Sequence, residues 1–241
     1  MAVLSLSMVL YAMVIFCGAF IQGSLGFGLA IVSAPVLYWL NPVLVPGPVI
    51  MMALSVAAIN LFRYRRTISL KGLGSAIAGR IPGSLLGGYL LTVVSGDVLT
   101  LFLGSMVLLA VLASLSRIRI SATPVTLCMA GFLSGVMGTA TAIGGPPMAL
   151  VMQHESADSM RANLSGYFVI SSIVSLVILF ANGYFSREQL QLSLMMVPAA
   201  ILGAVTANYV SHHFSQTLLR QCVLGLCSVC GLVAILSVFI D

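Results

Sequence analysis

The residues best suited to chemistry lie in two matching glycine- and proline-rich stretches. The first carries Gln22, Gly23, Ser24, Gly26, Phe27, Gly28, Ser33 and Pro35. The second carries Ser134, Gly135, Gly138, Thr139, Thr141, Gly144, Gly145, Pro146 and Pro147. Slid by 112 positions, Gly23 falls on Gly135, Gly26 on Gly138 and Pro35 on Pro147. Glycine and proline interrupt helices, and both stretches lie in strongly apolar sequence. In hydrocarbon, an interrupted backbone frees N–H and C=O groups that protein, water or a solute must meet. Freed N–H groups, helix N-termini and hydroxyls together can replace the hydration shell of a small anion. Taken singly, each Ser or Thr reads more simply as a small residue at a helix contact. The glycine pairs Gly26/Gly28 and Gly144/Gly145 point to a site, because both copies break at the same place.

Arg80 is the one strongly charged residue well inside an apolar segment. Pro82, Gly83, Gly87 and Gly88 follow it, so neighbouring backbones can come close. Two readings stand. An intramembrane ionisable group is a functional candidate, here a guanidinium facing an anion. Alternatively, Arg80 snorkels toward the interface near Lys71. His154, Glu155, Asp158 and Arg161 cluster after the second break and read as a solvated loop. Within that cluster, His154 is a candidate for proton coupling, its unperturbed pKa being about 6.5. Asn60, Asn163, Asn182 and Asn208 read as interhelical hydrogen bonds or helix ends.

Several chemistries are excluded. The five cysteines lie in apolar segments. Cys222, Cys227 and Cys230 lack the His or carboxylate neighbours that would complete a zinc site. They read as small buried residues, and no metal or cofactor is expected. There is no G-x-x-x-x-G-K-[ST], which excludes ATP-driven transport by this chain alone. Neither H-E-x-x-H nor G-x-S-x-G occurs, and no enzyme activity is expected.

The elements that must position these residues follow from composition. The chain has 241 residues, 60% hydrophobic and 6% charged, far below the roughly quarter charged of a soluble domain. It reads as an all-α polytopic membrane protein. Ten apolar segments fall at about 4–22, 26–40, 46–62, 74–94, 97–115, 122–138, 142–153, 162–182, 190–210 and 217–239. Eight approach the roughly 20 residues of a full span. Segments 26–40 and 142–153 follow the breaks and are too short to span comfortably. Pro82 and Gly87 match Pro198 and Gly203 at a spacing of 116. The chain therefore divides into repeats 1–119 and 120–241, each of about five segments. An odd number of crossings per repeat would invert the second copy relative to the first.

No Lys or Arg precedes Arg63, so Val3–Ile21 reads as a retained helix rather than a cleaved signal. The net charge of +5 sits in short loops, where it orients the chain in a bilayer rather than binding nucleic acid. If the short segments return to their starting side, eight loop basic residues fall inside and only Arg187 outside. The alternative threading divides them seven to two. The first is preferred, with both termini outside.

On Gln22-Gly23-x-x-Gly26-Phe27-Gly28 followed by Pro35, and Gly131-x-x-x-Gly135 followed by Gly144-Gly145-Pro146-Pro147, the chain resembles the TauE/SafE family of sulfite exporters and related anion permeases. The likeness covers nearly the whole length. One departure is Thr139-Ala140-Thr141-Ala142, where the family often has further glycines. The resemblance implies movement of sulfite, sulfoacetate or other sulfonates across a bacterial inner membrane, without fixing direction. The residues alone reach a secondary carrier with a midplane site for a small anion, with protons as a candidate coupling ion. An anion or small-solute channel and a non-transporting membrane scaffold are the rival readings.

Overall fold

A computed structural model describes residues 6–69, 72–115, 120–153 and 155–210, and scattered positions between 221 and 239. The described elements are helical: α1 (Leu6–Leu25), α2 (Leu29–Leu40), a 3-10 turn at Pro42–Leu44, α3 (Gly47–Tyr64), α4 (Leu73–Val93), α5 (Gly96–Leu115), α6 (Pro124–Thr141), α7 (Gly145–Met152), α8 (Ala157–Ala181) and α9 (Arg187–Val210). Local sequence sets several boundaries. Thr123 and Thr126 form a reciprocal capping box that starts α6, with Pro124 in its first turn. The Ser156 hydroxyl accepts from the Ser159 N–H and starts α8. Gly72, at φ +80°, turns the chain into α4.

Five helices are long and apolar enough to cross a membrane: Leu6–Leu25, Gly47–Tyr64, Pro124–Thr141, Asp158–Ala181 and Arg187–Val210. α4 and α5 are comparably long, at 21 and 20 residues. α4 is diluted by five glycines and Arg80. The segment expected at 217–239 lies largely outside the described residues. α2 has 12 residues and α7 has 8. At about 1.5 Å per residue these reach only ~18 and ~12 Å, short of the roughly 30 Å hydrocarbon core. Each is a half-helix.

The register of the breaks differs from the expected 112. α1 runs through Gly23 to Leu25, and α6 runs through Gly135 and Gly138 to Thr141. The interruptions are Gly26–Gly28 and Ala142–Gly144, which places Leu25 against Thr141 and Leu29 against Gly145 at an offset of 116. That is the offset of Pro82 and Pro198, and it moves the second break one helical turn along. Gly138 stays helical because packing, shown below, outweighs its intrinsic cost of about 1 kcal/mol. The left-handed turn expected at glycine is made by Gly26 at φ +88° in the first copy and by Ala142 at φ +67° in the second.

Helices distant in the chain pair along their lengths: α1 packs on α9, α6 on α4 and α3 on α8. The α4–α6 seam is backbone against backbone. A Cβ at Gly79 would lie 1.9 Å from the Cys128 carbonyl oxygen, one at Gly83 2.1 Å from that of Phe132, and one at Gly131 2.0 Å from that of Ala76. Only glycine permits such an approach. Large apolar side chains such as Leu85, Val177, Phe180 and Leu202 point outward, an outer surface suited to lipid rather than water.

Candidate functional site

Both breaks open onto one cavity. A Cβ on Gly145, at the start of α7, would sit 3.4 Å from Phe27 in the first break and 3.6 Å from Phe168 on α8. Gln22, Phe27 and Gly28 line the cavity from the first break, and Ala142, Ile143, Gly144 and Gly145 from the second. α4 contributes Arg80, α6 Gly138, and α8 Phe168, Ser171 and Ser172. The cavity has a volume of about 40 Å³, room for roughly three waters. No side chain caps the N-terminus of α2 or α7. Both ends direct the positive pole of a helix toward the break. α7 offers fewer donors there, because Pro146 and Pro147 in its first turn have no N–H.

Arg80 is the centre of the site. It is only 3% exposed, so it does not snorkel. Its Nη1 donates to the Ser134 carbonyl and, at 2.9 Å, to Ser134 Oγ. Its Nη2 donates to Ser175 Oγ at 2.6 Å and to the Ser171 carbonyl at 3.4 Å. Ser134 Oγ in turn donates to the Gly144 carbonyl at 2.5 Å, tying the guanidinium to the second break. Ser175 Oγ and Thr139 Oγ1 are 2.8 Å apart. All four partners are neutral oxygens. Among the described residues the one ion pair is Arg161–Asp158 at 3.3 Å. The buried guanidinium, which stays charged in proteins, therefore pairs with no carboxylate among the described residues.

The glycines around it clear its path. A Cβ on Gly138 would lie 2.8 Å from Nη1 and 3.0 Å from Nη2, and one on Gly144 3.0 Å from Nη1. These two glycines make the slot that admits the planar head.

The other residues singled out in the sequence are distributed differently. Gly23 packs against Ala204 and Ala207 in the α1–α9 seam. Ser24 Oγ donates to the Phe20 carbonyl at 2.8 Å, and Ser33 Oγ to that of Val14 at 3.2 Å. Pro35 is buried within α2. Thr141 Oγ1 donates to the Met137 carbonyl at 2.8 Å and accepts from the Ile143 N–H at 3.3 Å, shaping the second break. His154 lies outside the described residues, as do Lys71, Arg117, Arg119 and Arg220.

Of the cluster expected as a solvated loop, Glu155 lies between α7 and α8 and Asp158 is exposed in the first turn of α8, while Arg161 reaches another helix. Arg161 belongs to α8, and its Nε donates to the Ser24 carbonyl at the end of α1 at 3.0 Å. A Cβ on Gly26 would lie 3.2 Å from the Arg161 Cα, a tight contact at a position whose φ of +88° already favours glycine. Asn163 donates to Glu155 Oε2 at 2.7 Å and accepts from the Ser69 N–H at 2.8 Å. Asn60 donates to the Gln22 carbonyl at 3.4 Å, and Asn182 is the C-cap of α8.

The residues that sequence reasoning missed are on α8. Ser171, Ser172 and Ser175 fall at i, i+1 and i+4 of an apolar helix, so Ser171 and Ser175 share one face. That pattern was a readable signal.

Comparison with curated proteins and with solved structures gave no match. The family described as Sulfite exporter TauE/SafE matches residues 11–234. That span contains both breaks, Arg80 and every described helix except the start of α1, and the chain belongs to the sulfite exporter TauE/SafE family of membrane anion transporters.

Proposed function

We propose that this chain is a secondary carrier that moves small sulfur-containing anions, such as sulfite or organosulfonates, by alternating access, binding them in the cavity between the two breaks. The observation that carries this reading is Arg80: a cation 3% exposed, at the wall of the cavity, with only neutral partners. An uncompensated buried charge is costly, and an anion in the cavity would supply the missing sign. Room for about three waters suits a compact oxyanion. The uncapped starts of α2 and α7 add positive potential on two sides.

The pairing of α1 with α9 and of α6 with α4 supports a pseudo-twofold arrangement of eight spans and two half-helices. In that arrangement the second repeat is inverted, and the halves rock about the cavity. Basic residues concentrated in the loops after α3 and α5 support an inner-membrane orientation with both termini outside.

The test is sulfite counterflow in proteoliposomes made with wild type and with Arg80→Gln. The variant removes the charge, shortens the side chain and leaves an amide with two N–H donors in place of five. Hydrogen bonds to charged groups are worth about 1.5–3 kcal/mol, so apparent affinity is expected to fall roughly ten- to hundredfold. Wild-type affinity in a folded Arg80→Gln protein would overturn the assignment. Sulfite flux without saturable counterflow in the wild type would turn it toward a channel.

A further inference from the structure

The wall of the cavity is drawn from α1, α2, α3, α4, α6, α7, α8 and the two breaks, and among the described residues Arg80 is the one ionisable side chain in it. The wall therefore carries a single positive charge and no carboxylate. One monovalent anion balances that charge. A dianion would leave a negative charge uncompensated away from bulk water, which is costly.

A second, independent observation lies on α1. Gln22 lines the cavity and is 4% exposed. Its Nε2 donates to the Ala53 carbonyl on α3 at 3.1 Å. That bond fixes which end of the amide faces α3. The other end, Oε1, has no hydrogen-bond partner among the described residues. Ser172 also lines the cavity, and its hydroxyl can turn to donate to an anion, whereas an amide oxygen can only accept. A buried acceptor left unmatched is unfavourable. In a cavity otherwise suited to negative charge, such an oxygen disfavours an anion whose oxygens are all bare and favours one that brings a hydrogen.

We infer that the cavity takes a singly charged oxyanion carrying its own proton, hydrogen sulfite in its O–H form rather than the sulfite dianion, with Gln22 Oε1 accepting from that O–H while Arg80 balances the charge. The inference rests on the carrier reading above and names the species carried. Hydrogen sulfite that crosses and then ionises releases one sulfite and one proton. Proton movement by this route needs no titrating side chain in the cavity.

The experiment uses the full chain in proteoliposomes, with sulfite counterflow measured over a pH series and methanesulfonate, a monoanion without an O–H, as competitor. Above the second ionisation of sulfurous acid, apparent KM for total sulfite is expected to rise about tenfold per pH unit as the singly charged fraction falls. The inhibition constant of methanesulfonate should stay level over the same series, which separates titration of the substrate from titration of the protein. Below that ionisation, methanesulfonate is expected to bind about tenfold more weakly than hydrogen sulfite, because it leaves Gln22 Oε1 unmatched. Gln22→Met keeps a side chain of similar length without the acceptor and should narrow that gap to about twofold. A merely structural Gln22 would weaken both anions alike and leave the gap unchanged. A total-sulfite KM that stays level as pH rises, or a gap unchanged in Gln22→Met, overturns the inference and leaves the carrier standing, because counterflow itself persists. Should Gln22→Met fail to fold, the wild-type pH series decides alone. Absence of saturable sulfite counterflow in the wild type at every pH overturns the carrier reading itself.

Discussion

Gly138→Ala sets two rules of helix chemistry against each other. Gly138 lies inside α6, and alanine in a helix is favoured over glycine by about 1 kcal/mol. Propensity alone therefore makes the variant more stable. The structure gives the opposite sign. The new Cβ would lie 2.8 Å from Arg80 Nη1 and 3.0 Å from Nη2. Relaxing 2.8 Å to an ordinary 3.4 Å contact moves the head by about 0.6 Å. The Gly144 Cα, 3.1 Å away on the same side, blocks escape by the new methyl. Bonds of 2.6 Å to Ser175 and 2.9 Å to Ser134 cannot both survive such a shift. Losing one or two hydrogen bonds to a charged group costs about 1.5–3 kcal/mol each, which exceeds the propensity gain. The expected outcome is a lower melting temperature in detergent and at least about a tenfold loss of sulfite affinity in counterflow. Gly145→Ala is the control. Its Cβ meets Phe27 at 3.4 Å and Phe168 at 3.6 Å, ordinary contacts, so stability should be near wild type. A Gly138→Ala protein that melts higher and transports normally would refute the claim that this glycine exists to seat the guanidinium.

Two further outcomes follow from the same geometry. Gly131→Ala, whose Cβ would press 2.0 Å from the Ala76 carbonyl oxygen, should prevent α4 and α6 from closing and abolish recovery of folded protein. Gly74→Ala, with nothing within 4 Å, should express and fold as wild type; equal recovery of the two variants would count against the seam. Arg161→Ala removes the bond from Nε to the Ser24 carbonyl and should lower the melting temperature by an amount equivalent to about 1–2 kcal/mol. An unchanged melting temperature would mean that this tie between α8 and the end of α1 carries no stability.

The sequence by itself determined the class of molecule and the place where its helices break. Composition allows only lipid-facing helices, and Gly26, Gly28 and Gly144 can interrupt a helix without regard to what surrounds them. Those are local properties, set by side-chain polarity and backbone freedom. The register of the second break was not local: Gly138 and Ala142 trade the roles that spacing suggested, because a guanidinium from α4 occupies the space beside Gly138. Arg80 illustrates the same division. Its presence in an apolar run was legible, while the choice between snorkelling and burial depended on Ser134, Ser171 and Ser175, residues 54 to 95 positions away. Long-range hydrogen bonds leave no periodicity in a sequence, and only the packing of α4 between α6 and α8 brings those oxygens to the charge.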